Sequence, residues 1–189
     1  MPRLLPDLLF PTATFGLAEL SAARLDGELT PVDSGFAPLD CPGTVALRLR
    51  ALVPLLPKTA IVERQSALWV YGFRPFPPAR HQACVRAGVG RRAPGSVRLQ
   101  VREVVLEPDD VVMVAGIALT SMIRTAIDLA RAQATVDDVQ GGRLRLLLEA
   151  SGATLDECLE RLERCRNMPN KTRASVRLHE AFGAVLSPR

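Results

Sequence analysis

Long apolar runs are missing from this 189-residue chain: its richest stretches, 51–56 and 111–119, are short and bounded by proline, lysine or aspartate. A membrane-spanning helix needs roughly 20 such residues, so no spanning segment is expected. Histidine is nearly absent, with only His81 and His179, and the four cysteines (Cys41, Cys84, Cys158 and Cys165) are scattered apart from the last two, seven residues apart. Zinc sites are usually announced by a close Cys or His pair, and neither histidine stands beside one. The expectation is four unpaired thiols in a reducing compartment, with no metal and no cofactor. The first ten residues carry Pro2, Pro6 and Asp7 in place of the basic stretch and small-residue cleavage site of a secretory signal, so a cytoplasmic location is expected. Lysine is scarce too: Lys58 and Lys171 are the only two of 24 basic residues. Such an arginine bias is common in GC-rich genomes.

What is present is enough apolar material to fold, 48% of the residues, in a chain long enough for one sizeable core or two small ones. Charge is unevenly spread. Residues 1–42 hold two arginines against six carboxylates, whereas the remaining residues hold 22 basic against 14 acidic side chains. A split of this sign implies two functional regions. The boundary is placed at Cys41-Pro42-Gly43, giving a region 1–42 and a region 43–189.

Leu17, Leu20, Ala23 and Leu25 form a helical stripe that stops at Asp26-Gly27. Glu28–Val32 and Phe36–Leu39 then flank Asp33-Ser34-Gly35, where glycine is expected to supply the positive φ of a hairpin. Helix, tight turn and two-stranded wing make the closing half of a winged helix, with Phe36 and Leu25 expected to be buried. Thr44 is a plausible N-cap for a helix from Val45 to Leu56 ended by Pro57. A short strand at Thr59–Val62, a helix at Arg64–Tyr71 closed by Gly72 and a proline-rich loop at 73–78 follow. Three strands are expected at His81–Ala87, Ser96–Val105 and Val111–Leu119. Beyond Thr120 the period is helical: one helix carries Ile123, Ala126, Ile127 and Ala130 on a face, and three more cover 136–150, 155–165 and 172–182. The fold class is therefore α+β: a partial winged-helix-like N-terminal region, a small mixed β-sheet with flanking helices, and a helical C-terminal cap.

No catalytic constellation stands out. Arg124 and Asp128, four apart, read as a helix-surface ion pair worth a few tenths of a kcal/mol. Asp109-Asp110 is an acidic turn without a third spaced ligand. Ser66 and Ser121 lack a nucleophile-elbow context, and neither histidine has an obvious orienting carboxylate. The non-random feature is a run of arginines, with no acidic residue between Glu63 and Glu103. Arg86, Arg91, Arg92, Arg98 and Arg102 are the candidate nucleic-acid contacts, since alternate strand positions share a face and guanidinium groups neutralise phosphates. A solvated arginine-rich face is the competing reading.

Two stretches carry a resemblance to a known family. The first is 27–38 (GELTPVDSGFAP) followed by 44–52 (TVALRLRAL) and 60–72 (AIVERQSALWVYG); the second is 106–112 (LEPDDVV) running into 116–131 (GIALTSMIRTAIDLAR). Together they resemble the AbiEi-like antitoxin proteins of actinobacteria, the second stretch being the more specific. Met122 stands where that family usually has proline, and Glu63 and Tyr71 replace its usual histidine. The resemblance implies a winged-helix region plus an antitoxin domain, and a regulator that represses its own operon and counters a nucleotidyltransferase-like toxin. Its expected partners are operator duplex DNA and the cognate toxin protein. The chain stops where the endonuclease domain of longer relatives begins, so no nuclease activity is implied. A protein–protein interaction module without DNA binding is the alternative, favoured by the acidic residues 1–42. A hydrolase finds no support in residue spacing.

Overall fold

The structure, a computed structural model, describes residues 6–12, 15–88, 95–132, 138–165 and 169–185. The described residues form a mixed α and β protein with seven helices, a five-stranded mixed sheet and a separate two-stranded one. None of these helices is long and apolar enough to cross a membrane.

Helix α1 (Leu17–Leu25) and the hairpin β1 (Leu29–Val32) and β2 (Gly35–Pro38) lie where the sequence places them. Two details differ. Leu25 is 81% exposed, and Leu20 is the buried residue of α1, packed on Leu9 and Leu29 with Phe36 half-buried beside them. Of the expected stripe, Leu20 and Ala23 thus pack inward, and its ends, Leu17 and Leu25, are exposed. The positive φ of the turn falls on Asp33 (50°), not on Gly35, because a short polar side chain tolerates that conformation. Gly35 serves close approach instead: a Cβ there would lie 2.9 Å from the Leu9 carbonyl oxygen. Leu9 and Phe36 exchange backbone hydrogen bonds of 2.7 and 2.8 Å, which ties the segment before α1 to β2.

Helix α2 (Val45–Ala51) is capped by Thr44, whose hydroxyl accepts the Leu47 N–H at 3.1 Å. It is shorter than the expected 45–56, since Pro54 tightens the chain into a 3-10 turn over Val53–Leu55. Strand β3 (Ile61–Val62) leads into α3 (Arg64–Val70). Strands β4 (His81–Arg86) and β5 (Leu99–Val104) follow. The single strand expected at 111–119 is two, β6 (Val111–Val114) and β7 (Ile117–Thr120), because Ala115 and Gly116 both take positive φ and reverse the chain. An alanine at the first turn position is a weak hairpin signal.

The sheet order is β5-β4-β3-β7-β6. β3 runs parallel to β7, with Val62 opposite Leu119, so α3 and the helix after β7 leave the same end of the sheet. That helix, α4 (Met122–Ala130), is capped by Ser121 and packs on α5 (Asp138–Ser151), α6 (Leu155–Arg164) and α7 (Lys171–Val185). Thr154 and Glu157 close a reciprocal capping box at the start of α6, with bonds of 3.2 and 2.7 Å.

Two apolar clusters hold the body together. Ile127, Leu147, Leu148, Leu162 and Leu178 fill the helical one. Leu49, Leu52, Val62, Trp69 and Leu119 fill the other, between α2, α3 and the sheet. Each fully buried side chain of this size contributes about 1.5–3 kcal/mol. Leu8 and Val32 of the N-terminal region pack on the second cluster, so that region shares a core with the rest as well as keeping its own.

Candidate functional site

Parallel pairing of β3 and β7 brings the residue after each strand to one end of the sheet, and β5 adds its own charges there. Glu63, at the β3–α3 junction, is buried and receives Arg102 of β5 through two bonds of 2.6 Å. Arg102 also lies 3.3 Å from Asp128. On α4, Arg124 Nε donates to Asp128 at 2.9 Å and its Nη1 to Asp110 at 2.7 Å, and Arg131 donates to the other Asp128 oxygen at 2.8 Å. Arg161 of α6 reaches Asp110 at 3.6 Å. Arg124 is 0% exposed and Asp128 1%. The pair expected on a helix surface is the centre of a buried network joining the sheet, the acidic turn, α4 and α6.

Burial works to raise the Asp128 carboxyl, but the positive charges of Arg124, Arg102 and Arg131 and the hydrogen bond from Arg124 outweigh it and hold it below the ordinary aspartate value. Arg124 is correspondingly raised: burial opposes its charge, and Asp128 and Asp110 more than restore it. A cavity of about 420 Å³ opens beside the network, lined among others by Arg102, Arg131, Asp110, Arg164 and Cys165. Each of the network's carboxylates, Glu63, Asp110 and Asp128, pairs with a guanidinium, while Asp110 Oδ1 and Arg124 Nη2 are buried without a hydrogen-bond partner among the described residues. The network ties α4 to β5 and to the acidic turn.

A second constellation lies on the other side of α3. The buried His81 of β4 donates from Nε2 to Asp33 at 2.8 Å, and its Nδ1 lies 3.0 Å from the Ser66 hydroxyl. Ser66 Oγ accepts the Gln82 N–H at 2.8 Å. With the Nε2–H tautomer every partner is satisfied: Ser66 donates to Nδ1, and Asp33 accepts from Nε2. Arg98 closes the outside, donating to both Asp33 oxygens at 3.0 and 3.1 Å. Serine, histidine and aspartate thus stand in the linear order of a hydrolase triad, but Ser66 and His81 are fully buried, so no substrate reaches the hydroxyl. The relay is a latch between the N-terminal hairpin and the sheet. His81 does have an orienting carboxylate, 48 residues away in sequence, which no local spacing reveals.

Burial pushes the Asp33 carboxyl up, while bonds from His81 and Ser34 and the charge of Arg98 bring it down, for a net value below the ordinary one. A depressed folded-state carboxyl stabilises the fold above its unfolded value and loses that contribution as pH falls through its folded value. Asp33 and Asp128 both act in this sense, so the thermal midpoint is expected to hold above about pH 5 and to fall steeply below about pH 4. An acid titration of the midpoint checks this; an Asp33→Asn variant should flatten part of the decline, and an unchanged profile would contradict the latch.

Three of the five proposed nucleic-acid contacts bond within the protein. Arg102 is committed to Glu63 and Asp128, Arg98 to Asp33, and Arg86 donates to the Leu106 carbonyl at 2.7 Å. Arg91 and Arg92 lie outside the described residues. Of the cysteines, Cys84 and Cys158 are buried and Cys41 and Cys165 half-buried, all as free thiols. Burial, with Glu63 nearby, pushes the Cys84 thiol far above its ordinary value.

Compared with known protein families and with curated proteins, the chain matches none.

Proposed function

We propose that this protein is a non-catalytic regulator of the antitoxin type that acts by holding a protein partner. The observation that carries the reading is the neutralisation of Arg98 and Arg102 by Asp33, Glu63 and Asp128, which spends on the fold the charge that a phosphate surface would need. A cleft of about 660 Å³ with proline and aromatic walls, between the hairpin and the proline-rich loop, supports it further. Co-expression with the product of the adjacent reading frame tests the reading: a stoichiometric complex supports it, and two separately eluting proteins count against it.

The second reading, operator binding and autorepression, is favoured by the remaining arginine pair, Arg91 and Arg92. Each phosphate neutralised adds about −0.9 to the slope of log K against log salt. On the partner-binding reading, neutral substitution of Arg91 and Arg92 together leaves any duplex-DNA slope unchanged. A slope shallower by about one to two units would transfer the assignment to DNA.

A further inference from the structure

The cleft between the hairpin and the proline-rich loop presents an unusual combination. Arg48, on α2, donates from Nη1 to the Trp69 carbonyl at 2.8 Å and stacks 5.9 Å from the Trp69 ring centroid. Its Nε and Nη2 edge has no hydrogen-bond acceptor among the described residues. Two glycines lie beside it: a Cβ at Gly43 would sit in ordinary contact, 3.6 Å from Nη2, and one at Gly72 3.4 Å from Nη1. Gly72 also has a φ of 94°, which favours glycine independently. The cleft's charged lining is one carboxylate, Asp33, against two guanidinium groups, Arg48 and Arg98, and Asp33 is already held by Arg98 and His81. The surplus is one positive charge with an open two-donor edge, the geometry that accepts a carboxylate in parallel. The walls are apolar: Leu47, Trp69, Pro75 and Phe76, with Phe76 75% exposed at the rim.

From this geometry we infer that the cleft binds an extended acidic segment of a protein partner, one carboxylate side chain meeting Arg48 and an adjacent apolar side chain covering Phe76 and the prolines. The inference rests on the partner-binding reading and names the chemistry of what is bound. A peptide fits the cleft better than a free oxyanion does, because the single open guanidinium edge takes only part of the lining and the apolar remainder needs a side chain against it.

Trp69 is the chain's only tryptophan and lines the cleft, so its emission reports occupancy directly. An acetylated, amidated peptide of alternating Glu and Leu is titrated against the full chain, beside its Gln-for-Glu counterpart and inorganic phosphate. The Glu peptide is expected to change the emission saturably and to bind about tenfold or more tightly than the Gln peptide, as one charge-assisted hydrogen-bonded pair is lost. Arg48→Gln should lose a similar factor. Phe76→Ala, at an exposed position that leaves the fold intact, should weaken the Glu peptide several-fold. Arg50→Gln, on an exposed position of the same helix, should change nothing. Equal binding of the Glu and Gln peptides, insensitivity to Phe76→Ala, or saturation by phosphate alone would each overturn the proposal. A partner that co-purifies equally with the wild type and Arg48→Gln would leave the partner-binding reading standing and remove only the cleft from it.

Discussion

Replacing Asp128 with alanine is expected to cost about 3–5 kcal/mol of folding stability, the range for breaking a buried ion pair from one side. Three guanidinium groups converge on this carboxylate, at 2.8, 2.9 and 3.3 Å. Without it Arg102 keeps Glu63 and Arg124 keeps Asp110, but Arg131 keeps only the Pro169 carbonyl. The loss is therefore more than one missing bond: three buried or half-buried cations face one another with nothing between them. Asp128→Asn retains the shape and one acceptor, so it should fall between wild type and alanine. Glu149→Ala supplies the contrast. Its pair with Arg145 is 3.5 Å long with both side chains more than 40% exposed, and its removal should cost less than about 0.5 kcal/mol. Urea midpoints at constant m-value measure all three. A loss under about 1 kcal/mol for Asp128→Ala would show that the network does not hold α4 to the sheet.

The fold class was legible because it rests on local signals. Thr44, Ser121 and Thr154 cap their helices through side-chain bonds, and the short strands are bounded by proline, glycine and aspartate as turn chemistry requires. The element that misled, 111–119, did so because Ala115 takes the turn position usually held by asparagine or glycine. The buried charges were not read as buried because a window of sequence shows Arg124 and Asp128 four apart, the spacing of a surface pair, and nothing of the packing around them. One clue was available: they are the only charged residues in α4, and a helix that short of charge is packed on most sides. Glu63 with Arg102, and Asp33 with His81, are separated by 39 and 48 residues and meet only once the sheet order is known. The partners of Arg98 and Arg102 in the arginine run are likewise invisible in a count of charges.

The hairpin latch makes the other large prediction. His81→Ala removes the donor that Asp33 accepts from, the acceptor that Ser66 donates to, and a buried ring 6.0 Å from the Trp69 ring centroid. A buried carboxylate then keeps only the Ser34 hydroxyl and Arg98, whose side chain is half exposed, and a cavity opens at the start of β4. Each of these is costly, and together they are expected to destabilise by about 3–5 kcal/mol. The distribution of the effect distinguishes the latch from an ordinary core defect. A latch that fastens residues 28–39 to the sheet should, when broken, raise amide exchange in β1 and β2 well before it does so in α4 and α7, whose apolar cluster contains no residue of the hairpin. Arg98→Gln should raise hairpin exchange by a smaller factor, since it removes the outer bonds to Asp33 and leaves the His81 bond in place. Hydrogen exchange followed by mass spectrometry resolves the two regions. Uniform loosening of the whole chain in His81→Ala would mean that the hairpin and the helical cluster open as one unit and that the Asp33–His81 contact is not a separable fastening.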